Sequence, residues 1–310
     1  MTAHGKIRLG TRASALARWQ ADFVAGELRA AGVDVEIIPI STTGDRQQVG
    51  PIGEIGAQGV FTKEIQRALL EQRIDLAVHS LKDLPTDPVE GLALAAVPKR
   101  GPVGDALVSR EGYLFGELPE GSVIGTGSFR RRSQLLHARA SLNIRDIRGN
   151  VETRLQKLAE GACDAIVLAE AGLMRLGLAA QITEVLPAEI MLPAVGQGAL
   201  GLEARSDDEA TRAALRVLNH RESHQAVLAE RALLAMLRGG CLAPIAGWAR
   251  FKDDDTDLHL HAVVLSVDGQ QRIDCSLSGD AGDPARLGEE VAEELLSAGA
   301  GELIEAARSS

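Results

Sequence analysis

Two side chains and one recurring pattern in this sequence stand where chemistry could be done. Asp83 follows the apolar run Asp75-Leu-Ala-Val-His79, comes just after Ser80-Leu81-Lys82 and precedes Leu84-Pro85. A carboxylate at the carboxyl end of a buried strand in an α/β lobe is placed to move a proton or to stabilise a cation. The same residue could instead cap a turn before Pro85. Cys241 lies in Arg238-Gly-Gly-Cys-Leu-Ala-Pro244, a Gly-Gly break between a helical and an extended segment. A thiol there can be exposed and modified, or be a plain loop cysteine. Cys163 and Cys275 sit in or near apolar runs, where thiols are usually buried and inert. Three scattered cysteines exclude a disulfide framework and a Cys-x-x-Cys metal site, so no metal is expected. His79, inside its strand run, reads as a core histidine rather than a catalyst.

The recurring pattern is an arginine beside a strand-to-helix turn. Gly125-Thr126-Gly127-Ser128-Phe129-Arg130-Arg131-Arg132 is one instance and Ile147-Arg148-Gly149-Asn150 is a second, with Arg154 one helical turn further on. Arg12 follows the first strand in the same way. Free backbone N–H groups at a helix start favour an anion, and guanidinium forks fit carboxylates. Arginine dominates the basic residues, 27 against 6 lysines. A solvated helix face and a GC-rich coding sequence would give the same excess. Gly196-Gln197-Gly198 reads most simply as a hinge turn.

Charge narrows the partner. The net charge of −10 argues against a broad nucleic-acid or anionic membrane surface. Residues 251–310, with 14 acidic and 4 basic groups, account for that total. Residues 126–175 hold 9 basic and 5 acidic groups, compatible with a small organic anion. Aromatic content of 3% leaves little for base stacking, so a nucleic-acid binder fits poorly.

Elements must hold these groups in place. The pattern predicts strands over 6–11, 35–40, 75–79 and 92–97, a helix after Ser14, a long loop over 43–58 and a helix over 61–72. It repeats with strands over 122–126, 143–147 and 164–169 and helices opened near Ser128 and Asn150. Lys99-Arg100-Gly101-Pro102 and residues 193–201 read as two crossings between lobes, which would place a cleft between them. Helical segments over 207–219 and 221–237 precede alternating runs at 245–251, 258–267 and 272–277, with Asp268-Gly269 as a hairpin turn. One amphipathic helix through Leu287, Val291, Leu295 and Leu296 is expected to close the chain.

Together these segments resemble the porphobilinogen deaminase (hydroxymethylbilane synthase) family. The matching stretches are Gly10-Thr-Arg-Ala-Ser14, Thr42-Thr-Gly-Asp45, Phe61-Thr-Lys-Glu64, Val78-His-Ser-Leu-Lys-Asp-Leu-Pro85, Arg148-Gly-Asn-Val151, Leu192-Pro-Ala-Val-Gly-Gln-Gly198 and Gly239-Gly-Cys241. The resemblance implies two periplasmic-binding-protein-like α/β lobes around a central cleft, with a small C-terminal α+β domain. It places lobe 1 at 1–98 and 199–217 with a mobile loop at 43–60, lobe 2 at 104–192, and the C-terminal domain at 221–310. It implies head-to-tail joining of four porphobilinogen molecules into hydroxymethylbilane, with loss of ammonia, for haem and related tetrapyrroles. A dipyrromethane held by a thioether to Cys241 would act as primer, and Asp83 would be the catalytic carboxylate. Each pyrrole carries an acetate and a propionate. The binding set implied for them is Arg12, Ser14, Ser80, Lys82, Thr126, Ser128, Arg130, Arg131, Arg148, Arg154, Arg175 and Gln197.

The sequence departs from that family's pattern in places. Glu54 and Gln58 stand where the loop often carries two lysines, so that loop cannot attract substrate by those charges. Gly127 and Phe129 replace a commoner Ser and Leu, and Arg132 carries no family role. A cytoplasmic monomer acting on a small molecule, away from membranes and nucleic acid, is the expectation. The alternative is a non-catalytic two-lobed organic-anion-binding protein.

Overall fold

The computed structural model describes residues 6–40, 62–240, 243–251 and 257–309. These divide into two compact units, residues 1–101 with 199–224 and residues 102–198 with 225–310. The first unit begins with β1 (Ile7–Thr11), α1 (Ala15–Ala30), β2 (Val35–Pro39), α2 (Lys63–Leu70), β3 (Leu76–Ser80) and β4 (Leu92–Ala96). The second opens with β5 (Asp105–Ser109), β6 (Val123–Gly125), α3 (Phe129–Ala138), β7 (Asn143–Arg145), α4 (Val151–Ala159), β8 (Ala165–Ala169), α5 (Glu170–Arg175) and β9 (Glu184–Leu186). The chain then returns to the first unit for β10 (Leu200–Arg205) and α6 (Glu209–Leu215). It ends with α7 (Arg221–Met236), β11 (Ile245–Phe251), β12 (Asp257–Leu265), β13 (Arg272–Asp280), α8 (Pro284–Ser297) and α9 (Ala300–Arg308).

The first two sheets share one topology. Their orders are β2-β1-β3-β10-β4 and β7-β6-β8-β5-β9. In each, a single strand, β10 or β5, runs antiparallel to its neighbours. Alternation along the strands covers both faces. Leu76 and Val78 pack towards α1 with Val24 and Leu28, while Ala77 packs towards α2 with Ile65 and Leu69. In the second unit Leu107, Ile124 and Val167 meet Leu135 of α3, whereas Ala106, Ile166 and Leu168 meet Leu158 of α4 and Leu173 of α5. Burying each such leucine stabilises the fold by about 1.5–3 kcal/mol. These are two α/β lobes with the same spatial order of strands.

The third sheet is antiparallel, β11-β12-β13. One face packs on α7, α8 and α9 through Leu233, Val291, Leu295 and Ile304. On the other, Ala246, Val263 and Leu265 pack against Leu192 of the same unit. The turn after β12 reaches α3: Gly269, at φ +75°, lies so close that a Cβ would stand 2.6 Å from the backbone of Ser133 and His137. His137 Nδ1 and the Gly269 carbonyl oxygen are 2.8 Å apart.

Differences from the sequence expectations have local causes. The helix Pro284–Ser297 does not close the chain, because Gly299, at φ +97°, turns the backbone into α9. Strands β5 and β10 escape the alternation signal because both are buried on two faces: β5 carries the apolar run Ala-Leu-Val, and β10 buries even Glu203. The stretch read as a crossing over 193–201 ends by starting β10 at Leu200.

Candidate active site

In the first unit the sheet gathers the sequence-singled residues at one edge. β1 and β3 are parallel neighbours, with Leu9 opposite Leu76 and Gly10 opposite Ala77. The segments leaving the two strands therefore emerge at the same carboxyl edge: Arg12 and Ser14 after β1, Lys82 and Asp83 after β3. Ser14 caps α1, its side chain accepting from the backbone N–H of Ala17. Gln20 of that helix donates to Ser80 Oγ at 2.7 Å, tying α1 to the end of β3.

Asp83 ends a single 3-10 turn, Leu81–Asp83. Leu81 anchors the turn, its side chain buried and its N–H donating to the Ala199 carbonyl at 3.0 Å. Leu84, also buried, donates its N–H back to the Leu81 carbonyl. Asp83 itself is exposed, and its carboxylate accepts no hydrogen bond among the described residues. The turn closes through the backbone, so the carboxylate is not spent on capping. Lys82, next to it in sequence, and Arg12, after the neighbouring strand β1, are both half-buried.

His79 has a different place. It is buried, its Nε2 3.0 Å from Glu203 Oε2, while Gln66 donates to Glu203 Oε1 at 3.0 Å. This is a satisfied core cluster on the α2 side of the sheet. Nearby, Asp75 receives Arg8 Nε at 2.9 Å and Arg205 Nη2 at 2.9 Å, joining β1, β3 and β10. Burial alone would raise the Asp75 carboxyl, but these hydrogen bonds outweigh it and hold the group at about 2.

The second unit repeats the arrangement with cations. β6, β7 and β8 are parallel, and β5 is antiparallel with Asp105 opposite Ala169. One edge thus collects Thr126, Ser128, Arg130 and Arg131 after β6, Arg148 and Arg154 after β7, Arg175 after β8, and Asp105 at the start of β5. Ser128 caps α3 by accepting from the Arg131 N–H, and its own N–H donates to Thr126 Oγ1 at 3.2 Å. Asn150 caps α4 through Thr153. Arg148 Nε donates to Asp146 at 2.8 Å, and Arg154 Nε to the Gly149 carbonyl at 2.8 Å. Arg175 donates to the Gly198 carbonyl at 2.6 Å, and burial pushes its guanidinium down to about 10, still charged at neutral pH.

Arg130 and Arg131 are almost wholly buried, at 5% and 6% exposure, and share one carboxylate, Asp105, that is fully enclosed. Arg130 Nη1 donates to Asp105 Oδ2 at 2.7 Å, and Arg131 Nε and Nη2 reach Oδ1 at 2.9 and 2.7 Å. Burial lowers the Arg131 guanidinium pKa, with Asp105 opposing the effect and Arg130 adding to it. Gln197 is also enclosed, and donates to the carbonyls of Val103 and Gly104 at 2.8 and 3.2 Å. It binds one crossing segment to the other rather than standing open at the edge.

Sequence reasoning missed Asp105. Its signal, an acidic residue heading the apolar run Ala-Leu-Val after Gly101-Pro102, looks like an ordinary strand start until β5 is inserted beside β8. Cys241, the 43–60 loop, Glu54, Gln58 and the motif Thr42–Asp45 lie outside the described residues. Cys163 is buried and Cys275 half-buried; both are free thiols whose pKa values are raised by burial. Among the described residues no group of three or more His, Cys, Asp or Glu could hold a metal ion.

Comparison with known proteins fixes the relationship. Residues 7–213 match the family model described as porphobilinogen deaminase, dipyromethane cofactor binding domain, and residues 224–297 match the porphobilinogen deaminase C-terminal domain. The chain belongs to the porphobilinogen deaminase family. It is 46% identical to the porphobilinogen deaminase of Geobacter sulfurreducens over 97% of this chain and 95% of that protein. It is 48% identical to that of Desulforudis audaxviator over 96% of this chain and 97% of that protein. Among solved structures, the methionine binding protein MetQ superposes with a TM-score of 0.44 at 14% identity, over 71% of this chain and 92% of that chain.

The deaminase family's cofactor fits the donor set. A dipyrromethane presents two acetates and two propionates, and the carboxyl edge of the second unit's sheet offers guanidiniums and hydroxyls, the groups suited to carboxylates. Residues 7–213, matched by the cofactor-binding model, contain every one of these donors.

Proposed function

We propose that this chain joins four porphobilinogen molecules head to tail, with release of ammonia, to give hydroxymethylbilane for tetrapyrrole synthesis. The observation that carries the reading is Asp83: an anchored turn presents its exposed carboxylate, which has no hydrogen-bond partner among the described residues, in a chain whose family performs this reaction. Asp83 is the catalytic carboxylate in this reading. Porphobilinogen must lose its aminomethyl nitrogen as ammonia, which leaves an electron-poor azafulvenium. The Asp83 oxygens accept a hydrogen bond from the pyrrole N–H and hold the positive charge that develops, then assist loss of the proton once the new carbon–carbon bond has formed. Neighbouring Lys82, Arg12, Ser14 and Ser80 bind and orient substrate carboxylates.

Thr126, Ser128, Arg130, Arg131, Arg148, Arg154 and Arg175 hold the carboxylates of a dipyrromethane attached through a thioether to Cys241. When bound, that group supplies the pyrrole carbon that starts the chain. Cys241 suits the attachment because Cys163 and Cys275 are held in packed surroundings with raised pKa values, while Cys241 follows a Gly-Gly pair. Gln197 supports the set from behind by holding Val103 and Gly104.

In this reading residues 1–98 and 199–217 form lobe 1 with Asp83, residues 104–192 form lobe 2 with the arginines, and residues 221–310 form a C-terminal domain carrying Cys241. We also place the protein in the cytoplasm as a monomer; the free thiols of Cys163 and Cys275 fit a reducing compartment.

Intact-mass measurement of the purified protein tests the reading. A mass excess equal to two linked pyrrole units, on the peptide containing Cys241, is expected together with ammonia release from porphobilinogen. An unmodified mass with no turnover would overturn it.

A further inference from the structure

Asp146 has no place in the binding set, although it stands at the same edge as its members. It is the first residue after β7, and Ile147, buried at 5% exposure, separates it from Arg148. Residues two apart in an extended segment share a side, and here the two side chains meet: Arg148 Nε donates to Asp146 Oδ2 at 2.8 Å. Hydrogen bonds to the backbone hold both ends of this segment. The Thr126 N–H donates to the Arg145 carbonyl at 2.9 Å, and Lys157 of α4 donates to the Arg148 carbonyl at 3.0 Å. The other oxygen of Asp146 lies against the turn after β6. A Cβ at Gly127 would stand 2.7 Å from Asp146 Oδ1, too close to be tolerated, and 3.3 Å from the Ile147 carbonyl oxygen. The carboxylate is therefore seated beside Gly127, the residue between Thr126 and Ser128. The serine commoner at that position and this carboxylate could not both keep these places.

We propose that Asp146 is a positioning residue for Arg148 and that Gly127 gives it room: the carboxylate seated beside Gly127 fixes the Arg148 guanidinium for one carboxylate of the pyrrole chain. This rests on the function proposed above and deepens it. A long side chain that is ordered only when its ligand arrives weakens binding, and a chain ordered beforehand does not. Nε is the donor nearest the aliphatic stem, so a bond there sets the plane of the guanidinium. Both partners are more than a third exposed, Asp146 at 56% and Arg148 at 39%, so the pair adds little to stability. Its worth lies in orientation. The carboxylate also offsets part of the Arg148 charge, which by itself would weaken the hold on an anion. Water screens that opposing effect at such exposure, whereas it restores no lost geometry.

The test is a double-variant cycle of Gly127→Ala, Asp146→Ala and their combination, with Asp146→Asn beside it and Asp146→Ala repeated in an Arg148→Met background. Three quantities are read: the fraction recovered with two pyrrole units by intact mass under one limiting supply of porphobilinogen, kcat/KM, and the melting temperature. Asp146→Ala should lower the loaded fraction and reduce kcat/KM about threefold to tenfold, the scale of leaving one long side chain to be ordered on binding. Its melting temperature should stay within a degree or two of wild type. Gly127→Ala should reproduce both defects by displacing the carboxylate. The combination should be no worse than either single variant, because the added methyl then has nothing to displace. Asp146→Asn keeps an acceptor for Arg148 Nε and should lie nearest wild type. With Arg148→Met in place, Asp146→Ala should change nothing further. If Gly127→Ala does not fold, the Asp146 variants and the Arg148→Met background decide. Wild-type or improved loading and kcat/KM in Asp146→Ala would overturn the inference. So would an Asn variant as poor as the Ala one, additive losses in the cycle, or a lowered melting temperature with loading unchanged. An unloaded and inactive wild-type protein would instead overturn the function proposed above.

Discussion

Asp83 concentrates the residue-scale argument. Its neighbours Leu81 and Leu84 are buried and hydrogen-bonded through the backbone, so the turn is specified without help from the carboxylate. Asp83→Ala should therefore leave the melting temperature within a degree or two of wild type while turnover falls by a factor on the order of 10² to 10³ or more, the scale of removing one preorganised electrostatic group. Steady-state ammonia release and a thermal melt on the same preparation check both halves, and a wild-type rate removes Asp83 from the mechanism. The residue was legible in the sequence because its position is local: an apolar strand, then Ser-Leu-Lys-Asp-Leu-Pro. Asp105 was not, because what makes it special is the pair of guanidiniums 25 and 26 residues later.

At the scale of elements, the helix starts were the most readable features. Ser14, Ser128 and Asn150 each cap the helix expected of them, since a cap is satisfied within three residues. Ser128→Ala should cost about 1 kcal/mol of stability by loss of that cap, measurable by urea unfolding. The turn after β12 is more demanding. Gly269 combines a positive φ with contact against the backbone of α3, so no side chain fits without moving one element from the other. Gly269→Val is expected to destabilise the protein by about 2–4 kcal/mol, the range for strain added to overpacking. Hydrogen exchange should then show faster opening of β12 and β13; unchanged protection would mean that the contact on α3 does not hold this sheet. Strands β5 and β10 were unreadable for the opposite reason to the caps, as their pairing partners lie about 60 residues away for β5 with β8 and over 100 for β10 with β3.

At the scale of the whole molecule, acid should be the revealing perturbation. Asp75 joins three strands through Arg8 and Arg205 and is held at about 2, below the ordinary carboxylate value of 3.8. A depressed carboxyl adds stability that is complete above the unfolded-state pKa and is lost as pH falls towards the folded one. The contribution is therefore constant at neutral pH and disappears between about 4 and 2. Unfolding free energies of wild type and Asp75→Asn should differ at pH 6 and converge as pH approaches 2; a gap independent of pH would assign the loss to packing. The molecule's charge distribution fits the same scale. The −10 total belongs to the C-terminal residues, while the stretch with arginines at strand ends is locally basic.

By itself the sequence determined the alternation of strands and helices, the caps, the ordered motifs that relate the chain to porphobilinogen deaminases, and the identity of the carboxylate and cations at strand ends. Each is encoded in residues a few positions apart, where steric preference and local hydrogen bonding act directly. Tertiary structure decided how those ends line up and what each group has left to offer. Parallel pairing of β1 with β3, and of β6 with β7 and β8, brings distant turns to one edge of a sheet. Only the antiparallel insertion of β5 supplies the aspartate that Arg130 and Arg131 share. What a guanidinium has left to offer is a property of what surrounds it, and no spacing within Phe-Arg-Arg-Arg could have shown that two of its arginines turn on one enclosed carboxylate.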